Sequence, residues 1–160
     1  MAVPLWNSVS SVVKSLSVKL KIAWIGKTKD PAIQSLTDDY VMRVGRYVPV
    51  EAIVLKDEAA LAKVNAGKPH TLVVLDSRGK QLSSEELAKF LGDYQDRNPL
   101  PLVFAIGPAD GFSEVARKSA SLVLSLGKMT LAHELARVVL LEQLYRAFTI
   151  LTGHPYHLGH

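Results

Sequence analysis

Hydrophobic and polar residues change period several times along the chain, and the changes lay out its elements. Val18–Ile25 alternates polar and apolar residues and stops at Gly26, which predicts a strand. From Asp30 to Tyr47 the residues Ile33, Leu36, Tyr40, Val44 and Tyr47 fall three or four apart. That is a helical stripe, opened by Asp30 as cap and Pro31 at the first helical position. Val50–Leu55 reads as a second strand and Asp57–Asn65 as a short alanine-rich helix closed by Gly67. Thr71–Leu75 and Leu102–Ile106 are apolar on both faces, as central strands of a parallel sheet are. Between them Asp76–Lys80 reads as a turn, and Ser83 with Glu86 has capping-box spacing for a helix to about Arg97. Gly107–Gly111 is a loop, and Ser113 caps a helix through Ser119. Leu122–Leu126 is a fifth strand and Gly127–Ala132 a loop. His133–Leu151 is the longest helix, ended by Gly153 and Pro155.

Strands alternating with helices predict an α/β fold with a mainly parallel sheet and helices on both faces. Ligands of such sheets bind beyond the carboxyl ends of the strands. The loops after Leu75, Ile106 and Leu126 are therefore the places to look for a site.

Composition narrows this picture. A chain of 160 residues, 48% hydrophobic and 21% charged, suits one domain with a real core and not a disordered segment. With no repeat or linker, the domain is expected to run over 18–160. Residues 1–17 read as a short extension, because they lack a basic start and serines break their apolar stretch, unlike a secretory signal. No apolar run is long enough to cross a bilayer. The absence of cysteine excludes disulfides, thiolate metal sites and cysteine nucleophiles. A cytoplasmic location is the expectation. The net charge of +4, from 19 Lys+Arg against 15 Asp+Glu, permits an anionic partner without demanding one.

Candidate chemistry gathers at the carboxyl-terminal loops and helix. Gly107-Pro108-Ala109-Asp110-Gly111 is flanked by glycines that let a ligand approach the backbone, and a helix start follows it. It is not G-x-G-x-x-G, and no Walker lysine follows, so a dinucleotide or P-loop reading loses its support. In the last helix Leu140, Leu144, Ala147, Phe148 and Leu151 form an apolar stripe. Glu142, Gln143, Arg146 and Thr149 lie opposite, with Glu142 and Arg146 spaced for an ion pair. His133 and Arg137 continue the apolar line and need an anionic or polar partner there, either in a site or as a satisfied structural pair. The tail His154-Pro155-Tyr156-His157 has histidines three apart, but proline and glycine take it off the helix and no carboxylate completes a metal set. No metal is expected. Arg43, Arg46, Arg78, Lys80, Arg117 and Lys128 are scattered, and only folding could gather them into a basic face.

Taken together, Phe104–Gly107, Gly111, Ser125-Leu-Gly-Lys-Met-Thr-Leu-Ala-His133, Arg137, Leu141-Glu-Gln-Leu-Tyr-Arg-Ala147 and Pro155-Tyr-His157 resemble the ribosomal RNA large subunit methyltransferase H family. These are small SPOUT-class enzymes. The resemblance runs from about Val18 onward and includes Leu75-Asp76, Gly79-Lys80 and Ser83-Ser84-Glu85. It implies an α/β sheet with a trefoil knot in the carboxyl-terminal half, which no periodicity would have suggested. It implies a homodimer that binds S-adenosylmethionine in the knot and methylates N3 of a pseudouridine in 23S rRNA of the assembled ribosome. The implied cofactor contacts are Leu75, Gly107, Pro108, Gly127, Lys128, Met129, Thr130, Leu131 and Ala132. His133, Arg137, Glu142, Tyr156 and His157 are candidates for catalysis, with the base unassigned, and Arg146, Tyr156 and His157 for substrate contact.

Three positions depart from the family pattern. Pro108 stands where a second glycine is common and supplies no N–H. Ala132 replaces a frequent proline before the histidine. Leu158-Gly159-His160 follows where a basic residue often ends the chain. From another functional class, the alternative is a non-catalytic ribosome- or RNA-binding module that keeps the fold.

Overall fold

The computed structural model describes residues 18–158. The extension expected at residues 1–17 and the side chain of His157 lie outside the described residues. The strands are β1 (Leu20–Ile25), β2 (Val50–Leu55), β3 (Thr71–Gln81), β4 (Leu102–Ile106) and β5 (Leu122–Ser125). The helices are α1 (Pro31–Val44), α2 (Ser84–Arg97), α3 (Glu114–Ser119) and α4 (His133–Thr152), with 3-10 turns at Glu58–Lys63 and Pro155–Leu158. All strand pairs are parallel, in the order β2-β1-β4-β3-β5.

The central strand shows why helices cover both faces. All five residues of β4 are buried. Leu102, Phe104 and Ile106 join one core with Leu20, Ile22 and Trp24 of β1, Leu87 and Leu91 of α2, and Leu140, Leu144 and Phe148 of α4. Val103 and Ala105 face the other way and meet Leu61, Val64, Phe112 and Ala116. The period of two along a strand delivers alternate residues to the two layers. Each fully buried leucine or phenylalanine contributes about 2 kcal/mol, so α4 is held chiefly by its inward face.

The expected caps form. Asp30 accepts from Ala32 N–H at 2.8 Å, and Ser83 and Glu86 exchange both bonds of a capping box at 2.9 and 3.0 Å. Several boundaries differ from the expectation. Strand β1 begins at Leu20, α1 ends at Val44, β5 ends at Ser125 and α4 reaches Thr152. The alanine-rich segment is a six-residue 3-10 turn, with Asp57 accepting from Ala60 N–H at 3.1 Å. That local bond favours a tight turn over a full α-helix. Asp76–Lys80 is not a separate turn but part of an 11-residue strand. After a register shift, β3 pairs with β5 a second time, Lys80 opposite Leu124 and Gln81 opposite Ser125. On α4, Thr149 is wholly buried instead of facing outward, and its hydroxyl donates to the Arg146 carbonyl at 2.6 Å. Leu151, placed on the apolar stripe, is 40% exposed.

Among the described residues no helix is long and apolar enough to cross a membrane. No group of three or more His, Asp or Glu among them is placed to hold a metal ion.

Candidate active site

The carboxyl ends of β3, β4 and β5 open into one cavity of about 430 Å³. A volume of that size suits a small-molecule ligand. Leu75, Ile106, Leu124, Leu126 and Leu131 give it apolar walls, and Ser125, Thr130, His133 and Asp76 bring polar groups. Its three loops are the ones that the parallel-sheet rule points to.

Each loop is tied down locally. The Pro108 carbonyl accepts from Gly111 N–H at 2.8 Å, which closes a turn in which Gly111 has φ +82°. That conformation favours glycine. The turn is closed through the proline's carbonyl and needs no N–H from it. A Cβ on Gly107 would meet the Phe112 ring at 3.2 Å, so the turn folds directly onto the buried aromatic. Ser125, itself buried, donates its hydroxyl to the Gly127 carbonyl at 2.9 Å and accepts from Gly127 N–H at 3.2 Å. Glu58 reaches from the 3-10 turn to accept both the N–H and the hydroxyl of Ser113, which fastens the start of α3 behind the cavity.

Of the residues expected to contact a cofactor, Leu75, Gly107, Pro108, Gly127, Met129, Thr130 and Leu131 line the cavity, while Lys128 and Ala132 do not. His133 lines it from the first turn of α4, where Ala132 offers no side-chain cap to the helix N–H groups. Sequence reasoning passed over Asp76 and Arg78 as site residues. The Asp76 carboxylate is 4% exposed and is gripped by Arg78 through Nε and Nη2, each at 3.0 Å. The Arg78 N–H adds a bond at 2.9 Å, and Arg117 stands 3.7 Å away. The Arg78 guanidinium holds the Asp76 carboxyl below its ordinary value, against the opposing effect of burial. The position of Asp76 directly after a central strand was the available signal.

The remaining candidates lie elsewhere. Arg137 is fully buried and does not line the cavity. It donates to Thr28 Oγ1 at 2.9 Å and to the carbonyls of Ile25 and Gly26 at 3.2 and 3.3 Å. Its polar partners are thus the loop after β1. Glu142, Arg146 and Tyr156 form a second group. Glu142 Oε1 accepts from Arg146 Nη2 at 2.7 Å and from the Tyr156 hydroxyl at 3.1 Å. The Arg146 guanidinium also lies over the Tyr156 ring, 5.2 Å from its centroid. Burial pushes the Tyr156 phenol above the ordinary tyrosine value, and Tyr40 and Glu142 add to the shift. From His133 to Glu142 the helix advances about 14 Å, so this group stands apart from the cavity. His157 falls in the turn after α4.

A parallel sheet with a small-molecule cavity at the ends of β3, β4 and β5 defines an α/β protein whose ligand site lies at its strand ends, and comparisons specify the class. Residues 18–157 match the family model described as "Predicted SPOUT methyltransferase". A ribosomal RNA large subunit methyltransferase H from Koribacter versatilis (strain Ellin345) is 58% identical over 146 residues, which cover 89% of this chain and 100% of the relative. Its counterpart from Geobacter metallireducens is 42% identical over 152 residues, covering 88% of this chain and 99% of the relative. A solved structure of a probable methyltransferase from Bordetella pertussis Tohama I shares the fold with a TM-score of 0.58 at 10% identity. It covers 86% of this chain and 98% of its own. The chain belongs to the ribosomal RNA large subunit methyltransferase H family of SPOUT methyltransferases.

Proposed function

We propose that the protein is an S-adenosylmethionine-dependent methyltransferase that methylates N3 of a pseudouridine in 23S rRNA of the assembled ribosome. The observation that carries this reading is the cavity at the ends of β3, β4 and β5, built from the cofactor loops that the family implies. Its apolar walls suit a purine, and its loops bring backbone close to a ligand at Gly107 and Gly127. When bound, S-adenosylmethionine supplies the methyl group of an in-line displacement at its sulfonium. The chain's own work is then to hold the pyrimidine in line, a matter of positioning. N3 must lose its proton, and His133, which lines the cavity, is the group this reading assigns to hold or pass it. The uncapped start of α4 beside it favours the negative charge that develops on the pyrimidine.

The reading includes a homodimer. Leu36 and Met42 on α1 and Leu135 and Leu151 on α4 are exposed, and they are apolar surface that a second copy would cover. A partner would bring its Glu142–Arg146–Tyr156 group toward the cavity that it cannot reach within one protomer. The reading also includes one domain from Val18 onward, a cytoplasmic location and the knot. The test is transfer of a labelled methyl group to ribosomes that lack the modification, beside cofactor binding by calorimetry. Transfer to ribosomes at micromolar cofactor is expected. A chain that binds ribosomes and transfers nothing is instead the non-catalytic module.

A further inference from the structure

The loop after β1, Gly26-Lys27-Thr28-Lys29, sits at the same end of the sheet as the cavity, because all strands are parallel. The first turns of α4 form the wall between them. His133 and Ala136 line the cavity, while Glu134 and Arg137 grip the loop. Glu134 accepts from Lys29 N–H at 2.7 Å and Asp30 N–H at 3.4 Å, and Arg137 holds Thr28 and the carbonyls of Ile25 and Gly26. A wholly buried arginine and a carboxylate are thus committed to fixing four or five backbone residues.

What the fixed loop displays is charge. Lys27 and Lys29 are exposed and take part in no ion pair among the described residues. The nearby carboxylates point elsewhere, Asp30 to the cap of α1 and Glu134 to the loop's own N–H groups. Lys56 after β2 and Lys128 beside the cavity are exposed on the same side and likewise unpaired among the described residues. The Cα atoms of Lys27 and Lys29, two residues apart, lie at most about 7 Å from each other, and their flexible stems let the two ammonium groups reach successive phosphates of one RNA strand. A rigid backbone lowers the entropy lost when such contacts form.

We propose that the Gly26–Lys29 loop is a phosphate-contacting arm for the RNA substrate, held in place by Arg137 and Glu134. The proposal rests on the function stated above and assigns a surface to its substrate. Arg137 is then a positioning residue, acting through the loop and not on the reacting atoms.

The test compares the wild type with Lys27→Ala/Lys29→Ala and Lys27→Arg/Lys29→Arg double variants. Binding to unmodified ribosomes and to deproteinised 23S rRNA is measured across a salt series, beside methyl transfer, cofactor affinity and melting temperature. The alanine variant is expected to bind both RNAs about tenfold more weakly, with a log–log salt slope shallower by about one to two. The loss falls in KM for ribosomes, cofactor affinity holds, and the arginine variant recovers binding. Equal affinity and slope for the alanine variant overturns the proposal. So does weakening on ribosomes alone, which places a ribosomal protein against the loop, and so does a wild type that binds neither RNA. Because the readout is binding, a wild type that binds RNA but transfers no methyl defeats the proposed activity and leaves the arm to be judged on its slope.

Discussion

The guanidinium of Arg137 lies over the indole of Trp24, its central carbon 5.1 Å from the ring centroid. Among the described residues no carboxylate pairs with this buried cation and Nε has no partner. Burial lowers its pKa, partly offset by the charge of Glu134. A desolvated cation–π contact contributes about 2 kcal/mol, and hydrogen bonds from a charged donor add to it. Arg137→Ala is therefore expected to cost about 3 kcal/mol, because it also strands two carbonyls and leaves a void beside Trp24. In a chain of this size that is about 6–12 °C in Tm. Arg137→Lys keeps the charge but loses the planar stack, and is expected to recover less than half. Urea denaturation checks both, and a wild-type midpoint for Arg137→Ala would refute the structural role.

Gly79 and Gly26 separate two reasons for glycine. A Cβ at Gly79 would lie 2.6 Å from the Val123 carbonyl oxygen and 2.8 Å from the Leu124 carbonyl carbon, both backbone atoms of β5. At Gly26 there is open space, but φ is +90°. Gly79→Ala must push two paired strands apart, at an expected cost of about 3 kcal/mol or more. Gly26→Ala costs only backbone strain, about 1–2 kcal/mol. The two denaturation midpoints give the order, and a smaller loss at Gly79 would contradict the close approach of β3 to β5.

The register shift between β3 and β5 marks where the sequence stops being readable. The strands and helices follow from period and caps, since Asp30, Ser83 and Ser113 each bond within their own turn. The cavity's location follows too, because parallel strands put all their carboxyl ends on one side. Asp76–Lys80 looked like a turn because it is polar and holds a glycine. Its strand character comes from a partner, β5, more than forty residues on. Likewise the pattern on α4 could require a polar partner for Arg137 but not say that the partner is the β1 loop. Only the packing of α4 on the sheet decides that, and it separates Arg137 from His133.

The Asp76–Arg78 pair predicts a pH dependence. The folded-state pKa of Asp76 lies below its ordinary value of 3.8, through the bonds from Arg78. The stabilisation is then fully present above the unfolded pKa and is lost as pH falls through the lower folded value. Asp76→Asn is expected to be less stable than wild type at pH 7, with the gap closing between about pH 5 and pH 2. Urea midpoints across that range check it. A gap independent of pH would mean that the ionised carboxylate is not what holds the loop.

Tyr156 illustrates how the second cluster restricts the chemistry. Its phenol is raised by burial, by the Tyr40 hydroxyl 3.4 Å away and by the negative charge of Glu142, so it stays protonated at neutral pH. Such a group donates a hydrogen bond and does not serve as a general base. Glu142→Gln removes the charge but not the burial. One of the five tyrosines is then expected to ionise at lower pH than in the wild type, while remaining above the ordinary value. Ultraviolet difference titration, with Tyr156→Phe to assign the signal, reads this directly. Tyr156→Phe is also expected to keep the shape of the wild-type pH–rate profile for methyl transfer, even where the rate falls, because a donor that never titrates in the working range contributes no limb. Loss of the basic or acidic limb in that variant would make Tyr156 a titrating participant and would move the proton-handling role away from His133.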